Sequence, residues 1–354
     1  MIPAPVSTWD AQRSNKGTLV YTGVMQSYPD WRPAASLDTL RLRSELLTRI
    51  RSFLAGRNIL EVDTPALSCA GNTDPALQSF TTVYSGPGSA AADTAYYLHT
   101  SPEFPMKRLL AAGAGSIYQL CKVFRDGECG AQHNPEFTLL EWYRTGFDHL
   151  DLMDEVEQLL ATVLAGIVPL DAVHHWTYRE LFLQFADIDP FTVSPGELQT
   201  LLESGYDMTC VGLPEDDLDS WLDLVMTHII EPQLGKGLVF VRDYPASQAA
   251  LARLRPGTPP VAARFEAYLN GVELANGFHE LADTAEQRAR FESDLERRRH
   301  SRLMAVNMDE RLLSALESGL PDCAGVALGV DRLVMIASGA KCLHDVIAFP
   351  FDSA

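Results

Sequence analysis

Residues 124–143 read FRDGECGAQHNPEFTLLEWY, and the fold turns on how this stretch is read. One apolar run, Ile117–Val123, leads into Phe124-Arg125. A second, Phe137–Trp142, follows a polar turn that holds Gly127 and Gly130. Two apolar runs around a glycine-bearing turn predict strand, loop, strand. The loop carries Arg125, Asp126, Glu128, His133, Asn134 and Glu136. A guanidinium offers a planar fork of donors that fits phosphate oxygens, and His133 and Asn134 add hydrogen bonds around the same ligand. The loop therefore reads as an anion clamp. On residue chemistry alone an ordinary charged hairpin is the competing reading, because most loops are solvated.

The stretch resembles motif 2 of the class II aminoacyl-tRNA synthetases in its lysyl version, Phe-Arg-x-Glu followed by His-Asn-Pro-Glu-Phe-Thr. The second string stands intact at residues 133–138, with Glu141-Trp142-Tyr143 after it. The resemblance implies that Arg125 binds the α-phosphate of ATP. It also implies that the loop, with Asp126, Gly127, Glu128, His133 and Asn134, covers the nucleotide, and that Tyr143 belongs to the amino-acid pocket. One position departs: the family's Glu is Gly127 here, and a Glu follows one place later at Glu128. Glycine makes a local backbone shift cheap, so Glu128 is expected to take the role.

Working back toward the N-terminus, Ser36 is a fitting N-cap, and Leu40, Leu46, Leu47, Ile50, Phe53 and Leu54 recur at helical spacing up to a stop at Gly56. Ile59–Leu67 reads as one strand with Pro65 near its end. By pattern this is a helix packed on an edge strand. It resembles motif 1, which implies a homodimer interface. The family's Gly before the strand is Asn58, the residue next most tolerant of positive φ. Gly86–Ser89 reads as a hairpin tip and Tyr96–Thr100 as a strand. Ser101-Pro102-Glu103 then turns into a helix through Met106–Leu110, where a cap and a first-turn acid suffice as an explanation. The resemblance assigns Ser101, Pro102 and Glu103 to the amino-acid pocket, where a carboxylate suits an ammonium.

Downstream, Leu150–Leu164 is amphipathic, and residues from about 176 to 238 read as a mostly helical insertion before the sheet resumes. Glu273 and Glu280 stand seven apart around Asn276-Gly277. Carboxylates that converge can hold Mg²⁺, a hard ion that prefers oxygen, while a strand with exposed acids is the equal alternative. The string resembles the family's Glu-x-x-Asn-Gly-Phe-x-Glu. That implies ATP and Mg²⁺ at Glu273, with Leu274 beside it, and metal or substrate amine at Glu280. Thr284–Arg302 is a charged helix whose Arg297–Arg299 run is the densest positive cluster. Finally, Pro321–Met335 resembles motif 3, with Gly329, Asp331 and Arg332 matching. This implies Arg332 on the γ-phosphate, packed on adenine, and Ala327 on the pocket floor where glycine is usual. Arg125 and Arg332 are the expected catalytic residues.

The chain has 354 residues, 46% hydrophobic, enough for one large domain or two. Its 28 Lys+Arg against 47 Asp+Glu give a net charge of −19, which opposes nonspecific binding to nucleic acid or anionic lipid. No apolar run is long enough to cross a bilayer, and the N-terminus lacks the order of a signal peptide. The six cysteines form no C-x-x-C pair, so a structural zinc site is not expected and a reduced, cytoplasmic enzyme is.

The expected fold is α+β, a class II synthetase catalytic domain at residues 34–354, with a mainly antiparallel sheet flanked by helices. Residues 1–33 are expected to be a partly disordered extension. That length is too short for the five-stranded barrel that reads an anticodon, which with the charge argues against tRNA as acceptor. The whole chain resembles the truncated lysyl-tRNA synthetase paralogues that modify elongation factor P. The implied activity is ATP-dependent activation of (R)-β-lysine as an adenylate and transfer to a lysine side chain of elongation factor P, by a homodimer. Two alternatives stay open. One is activation of α-lysine for a tRNA or another protein. The other is a non-catalytic regulatory paralogue, which Gly127 favours and intact Arg125, Glu273, Glu280 and Arg332 oppose.

Overall fold

The computed structural model describes residues 11–13, 19–21, 31–87, 95–170, 172–206, 208 and 217–354. The chain divides into two units, residues 1–33 and residues 34–354. In the first, β1 (Ala11–Arg13) pairs antiparallel with β2 (Leu19–Tyr21). The disorder expected for the rest of the extension, and the far side of the expected hairpin tip at residues 88–89, lie outside the described residues.

The second unit opens with α1 (Leu37–Ala55). Ser36 Oγ accepts from Thr39 N, and Leu46, Ile50, Phe53 and Leu54 form its buried stripe. Gly56 caps the helix in right-handed conformation, so the turn is made not there but at Asn58, whose φ is 56°. The single strand expected over residues 59–67 divides in two. β3 (Leu60–Glu61) joins the main sheet, while β4 (Leu67–Ser68) joins β6 (Ala95–Leu98) and β5 (Thr81–Val83) in a separate small sheet. Pro65, between them, has no N–H to donate to a ladder.

α2 (Glu103–Ala111) precedes the hairpin of β7 (Ile117–Phe124) and β8 (Glu136–Thr145), which pair without a slip from Ile117–Tyr143 to Phe124–Glu136. Then come α3 (His149–Val163) and β9 (Val173–Thr177), followed by the helices of the insertion, α4 (Tyr178–Ala186), α5 (Pro195–Thr200) and α6 (Leu218–Val225). The sheet resumes with β10 (Leu238–Pro245), β11 (Leu254–Arg255), β12 (Val261–Leu269) and β13 (Val272–His279). α7 (Thr284–His300), α8 (Glu310–Gly319), β14 (Cys323–Gly329) and α9 (Val330–Ser338) complete it.

The main sheet runs β3-β7-β8-β14-β13-β12-β10-β9, with β11 on β12. Its interior pairs are antiparallel, and only the outer pairs β3–β7 and β9–β10 are parallel. One register shift matters later. Ala267 faces Ala275 but Tyr268 faces Glu273, so Leu274 stands as an extra residue in β13.

Side-chain alternation sorts the strands between two cores. Leu238 and Phe240 of β10 join Trp142, Phe265 and Leu328 beneath α1, α3 and α9. Val239 and Val241 turn the other way, onto Phe182, Trp221 and Ile230 of the insertion. Over β8, β14 and β13 that second face stays open. The residues alternating with core Leu140 and Trp142, and with core Ala324 and Leu328, line a cleft there. Arg298 of the basic cluster is buried, donating to Asp74 O, Leu77 O, Gln78 Oε1 and Met304 O, while Arg297 and Arg299 pair with Asp294 and Glu296. The cluster thus serves the fold, not a free basic surface.

Candidate active site

The cleft has two lobes of about 200 and 220 Å³, which share Arg125, Asn276 and Ala327. Ser101, Glu103, Tyr143 and Glu280 line the first. Glu128, His133, Asn134, Glu273, Leu274, Gly329 and Arg332 line the second. Residues up to about 230 positions apart in the sequence thus meet on one sheet face. Asp126, Gly127 and Pro102 do not line it. Asp126 N donates to Gln78 O, Gly127 takes a turn conformation at φ 85°, and Pro102 is the N-cap of α2.

In the second lobe the Arg125 guanidinium lies 5.0 Å from the Phe137 ring centroid, and its Nε donates to Thr100 O. Glu128 Oε1 is 3.5 Å from Arg125, so the displaced glutamate comes within reach of the arginine through the glycine turn before it. Arg332 Nη1 donates to Glu273 O at 2.8 Å and Oε2 at 3.0 Å, and Nη2 donates to His133 Nε2 at 2.9 Å. Burial, then Arg332, lowers the His133 pKa, which leaves the ring neutral and able to accept. Asp331 is no ligand. It is buried, accepts from Thr138 N and pairs with Arg43, which also donates to Thr138 Oγ1. One carboxylate thus ties α1, β8 and α9 behind the arginines.

Glu273 and Glu280, expected to share one cation, line different lobes. β13 is extended between them, and seven residues of strand separate their Cα atoms by about 20 Å. The acidic neighbours of Glu273 are Glu266 and Glu231. Burial, then Glu266, raises the Glu273 pKa, and burial, then Glu273, pushes Glu231 up to about 7. Glu266 accepts from Tyr244, Tyr268 and Arg264, each at 2.6 Å. Among the described residues no group of three or more His, Cys, Asp or Glu is arranged to ligate a metal. Glu266 is taken up by those three donors, so Glu273 is the carboxylate of the second lobe that fits a hard divalent ion completing its shell from phosphates and water.

Glu280 belongs to the first lobe. Its Oε2 is 2.6 Å from Lys107 Nζ, and the same Nζ is 2.6 Å from Glu103 Oε1. Beside them, Glu141 accepts from Ser101 Oγ at 2.7 Å and Tyr143 OH at 2.6 Å. Burial, then Glu103, pushes Glu141 up to about 8. Burial, partly offset by Lys107, pushes Glu280 up to about 7. Gly325 makes room for this cluster: a Cβ there would meet the Tyr143 ring at 2.3 Å and Glu280 Oε1 at 2.4 Å. Sequence reasoning missed Glu141, Lys107 and Glu266. An acid inside the apolar Leu139–Trp142 run, and a lysine four after Glu103, were the signals that mark the first two.

A sheet face that joins an arginine-lined lobe to an acid-lined one by three shared residues is the site of a class II tRNA synthetase domain. Residues 21–353 match the family of tRNA synthetases class II (D, K and N), and the chain belongs to that family as an ATP-dependent amino-acid ligase. Within it, the chain is 50% identical over 326 residues to the elongation factor P–(R)-β-lysine ligase of Vibrio cholerae serotype O1, spanning 92% of this chain and 99% of that one. It is 47% identical over 331 residues to the ligase of the same name from Yersinia enterocolitica, spanning 93% and 100%. No helix among the described residues is long and apolar enough to cross a membrane.

Proposed function

We propose that this protein activates (R)-β-lysine with ATP and transfers the acyl group to a lysine side chain of elongation factor P. The observation that carries this reading is the first lobe, where the carboxylates of Glu103, Glu141 and Glu280 gather, two of them paired with Lys107, beside an arginine shared with the second lobe. Such a lobe attracts a substrate rich in ammonium groups. The names of the relatives supply the acceptor and the isomer.

In the first step the substrate carboxylate oxygen bonds to the α-phosphorus as the bond to pyrophosphate breaks, and pyrophosphate leaves with the electron pair. Arg125, at the junction of the lobes, stabilises charge on the transferred phosphoryl group. Arg332, with neutral His133 behind it, holds the leaving end. Glu273 would hold Mg²⁺, which neutralises phosphate charge when bound. In the second step the acceptor amine attacks the acyl carbon. An amide forms, AMP departs with the electrons of the anhydride bond, and the amine gives up a proton. No covalent bond to the enzyme is required. The reading includes a cytoplasmic homodimer joined through the α1 region. The net charge of −19 supports a protein acceptor over tRNA. The test is intact-mass analysis of elongation factor P after incubation with the protein, ATP and each lysine isomer. A mass gain of one lysyl group with the β isomer is expected, and no gain with either isomer overturns the reading.

A further inference from the structure

Lys107 lies buried behind the first lobe, against two of the acids that line it, with no part in the steps above. It lies on the second turn of α2, four residues after Glu103, so both side chains share one helix face. Its side chain is 1% exposed, and its Nζ sits 2.6 Å from a carboxylate oxygen of Glu103 and 2.6 Å from one of Glu280. Burying an ammonium is costly unless it is paired, and here two buried or part-buried acids pair it. Burial alone would lower the Lys107 pKa, and Glu103 and Glu280 together outweigh that and raise it. The amine is therefore charged throughout the neutral range.

The other titratable groups facing the cluster are Glu141, Tyr143, Cys121, Cys323 and Arg253. Burial holds Tyr143, Cys121 and Cys323 neutral by raising each pKa. Arg253 donates to the Glu280 carbonyl and to Asp322, outside the lobe. Of the other charged groups that line the lobe, Arg125, Arg264, Arg290 and Asp294 pair with Glu128, Glu266, Glu286 and Arg297, and Asp74 adjoins Arg298, so the charge of the cluster around Lys107 is that of Glu103, Glu141, Glu280 and Lys107 itself. With all four ionised, three negative and one positive charge leave 3 − 1 = 2 in excess.

We propose that Lys107 is a positioning and specificity residue, a resident ammonium that aligns Glu103 and Glu280 in the empty lobe and sets its charge to match a substrate bearing two ammonium groups. This rests on the reading of the substrate as a diamino acid. Lys107 does not touch the reacting atoms. A mono-amino acid leaves one buried carboxylate unpaired. Without the lysine charge, three carboxylates face two substrate ammoniums, and the surplus one binds a proton that substrate has to displace.

The experiment measures amino-acid-dependent ATP–pyrophosphate exchange with β-lysine between pH 6 and 9 for wild type, Lys107→Gln and Lys107→Arg, with thermal unfolding as the check on folding. In Lys107→Gln the KM for β-lysine at pH 7 should rise at least tenfold, while kcat and the KM for ATP stay within threefold. The rising limb of kcat/KM against pH should move about one unit toward alkali. Lys107→Arg should keep the wild-type limb. A limb that stays in place in Lys107→Gln, or a loss shared equally by kcat and both KM values, overturns the proposal.

Should Lys107→Gln fail to fold, wild type decides through 3-aminohexanoate, which lacks the ε-ammonium. A kcat/KM at least a hundredfold below that of β-lysine supports the charge match, and equal values overturn it. Failure of wild type to activate any lysine isomer overturns the substrate reading itself, and this inference with it.

Discussion

Arg125, on the β7–β8 loop, and Arg332, on α9, are both held before any ligand arrives. Arg125 is fixed by Phe137 and Thr100 O, and Arg332 by Glu273 and His133. Donors preorganised in this way stabilise charge that develops on phosphoryl oxygens without rearranging. Arg125→Ala and Arg332→Ala should each abolish ATP–pyrophosphate exchange in a folded protein, at about 3 kcal/mol or more of activation energy. A folded variant that exchanges at the wild-type rate removes that arginine from the site. The two glutamates should separate in kinetics as they do in space. Glu273→Gln should raise the Mg²⁺ concentration for half-maximal exchange, whereas Glu280→Gln should raise the KM for the amino acid and leave the Mg²⁺ titration in place. Equal Mg²⁺ shifts in both would restore a shared cation.

The pH response follows from the same acids. Glu280 and Glu141 lose their protons at about 7 and about 8, above the usual carboxylate range. They are neutral below that window and charged above it. The KM for β-lysine should therefore fall as pH rises from about 6.5 to 8.5, with little change in the KM for ATP. The ligand-free protein should lose stability as pH rises from about 4.5, where these acids ionise in the unfolded chain, to about 8, because the folded state still holds protons that the unfolded chain has released. At this scale the sequence was legible where a residue is unusual for its surroundings, such as Arg125 after an apolar run. It was not legible for Glu266, whose three donors come from β10 and from its own strand and leave no mark in spacing.

At the scale of elements, β14 is the hinge of the site. Ala327 lies between Glu141 of β8 and Asn276 of β13, at the junction of the lobes. On the proposed function its methyl would face the part of the substrate that carries the carboxylate being activated. A β-amino acid moves the amine one carbon away, so Ala327→Gly should raise α-lysine activation relative to β-lysine. One methyl is worth only about 1–3 kcal/mol of discrimination. The kcat/KM ratio of the two isomers in wild type and variant is the measurement, and an unchanged ratio places selectivity elsewhere. Behind the cleft, Asp331→Ala should destabilise the fold by about 3 kcal/mol in urea unfolding, since it strands the part-buried Arg43. Hairpins and helices were readable because their period lies within a single stretch. The splitting of residues 59–67 between two sheets was not, because only the partners of β3 and β4 decide it.

For the molecule as a whole, the surplus of acids and the exposed Leu60 beside α1 bear on assembly. A homodimer through this region should sediment at twice the chain mass at micromolar concentration, and a stable monomer there would refute it. The architecture was legible because three separated strings in the right order converge on one sheet. The division of the cleft into an acid end and a phosphate end was not, since spacing along β13 reports length but not what waits at each end.

The extra residue Leu274 in β13 has a consequence for how this site can change. Glu273 and Glu280 are an odd interval apart, and a regular strand would send them to opposite faces. The bulge resets the phase, so both open into the same cleft. Losing Leu274 would leave an even interval and keep both glutamates on one face, but losing a residue between Ala275 and His279 while the bulge stays would invert everything upstream, sending Glu273 toward the hydrocarbon of α1, α3 and α9. Insertions and deletions, not substitutions, are the mutations to which this strand is least forgiving.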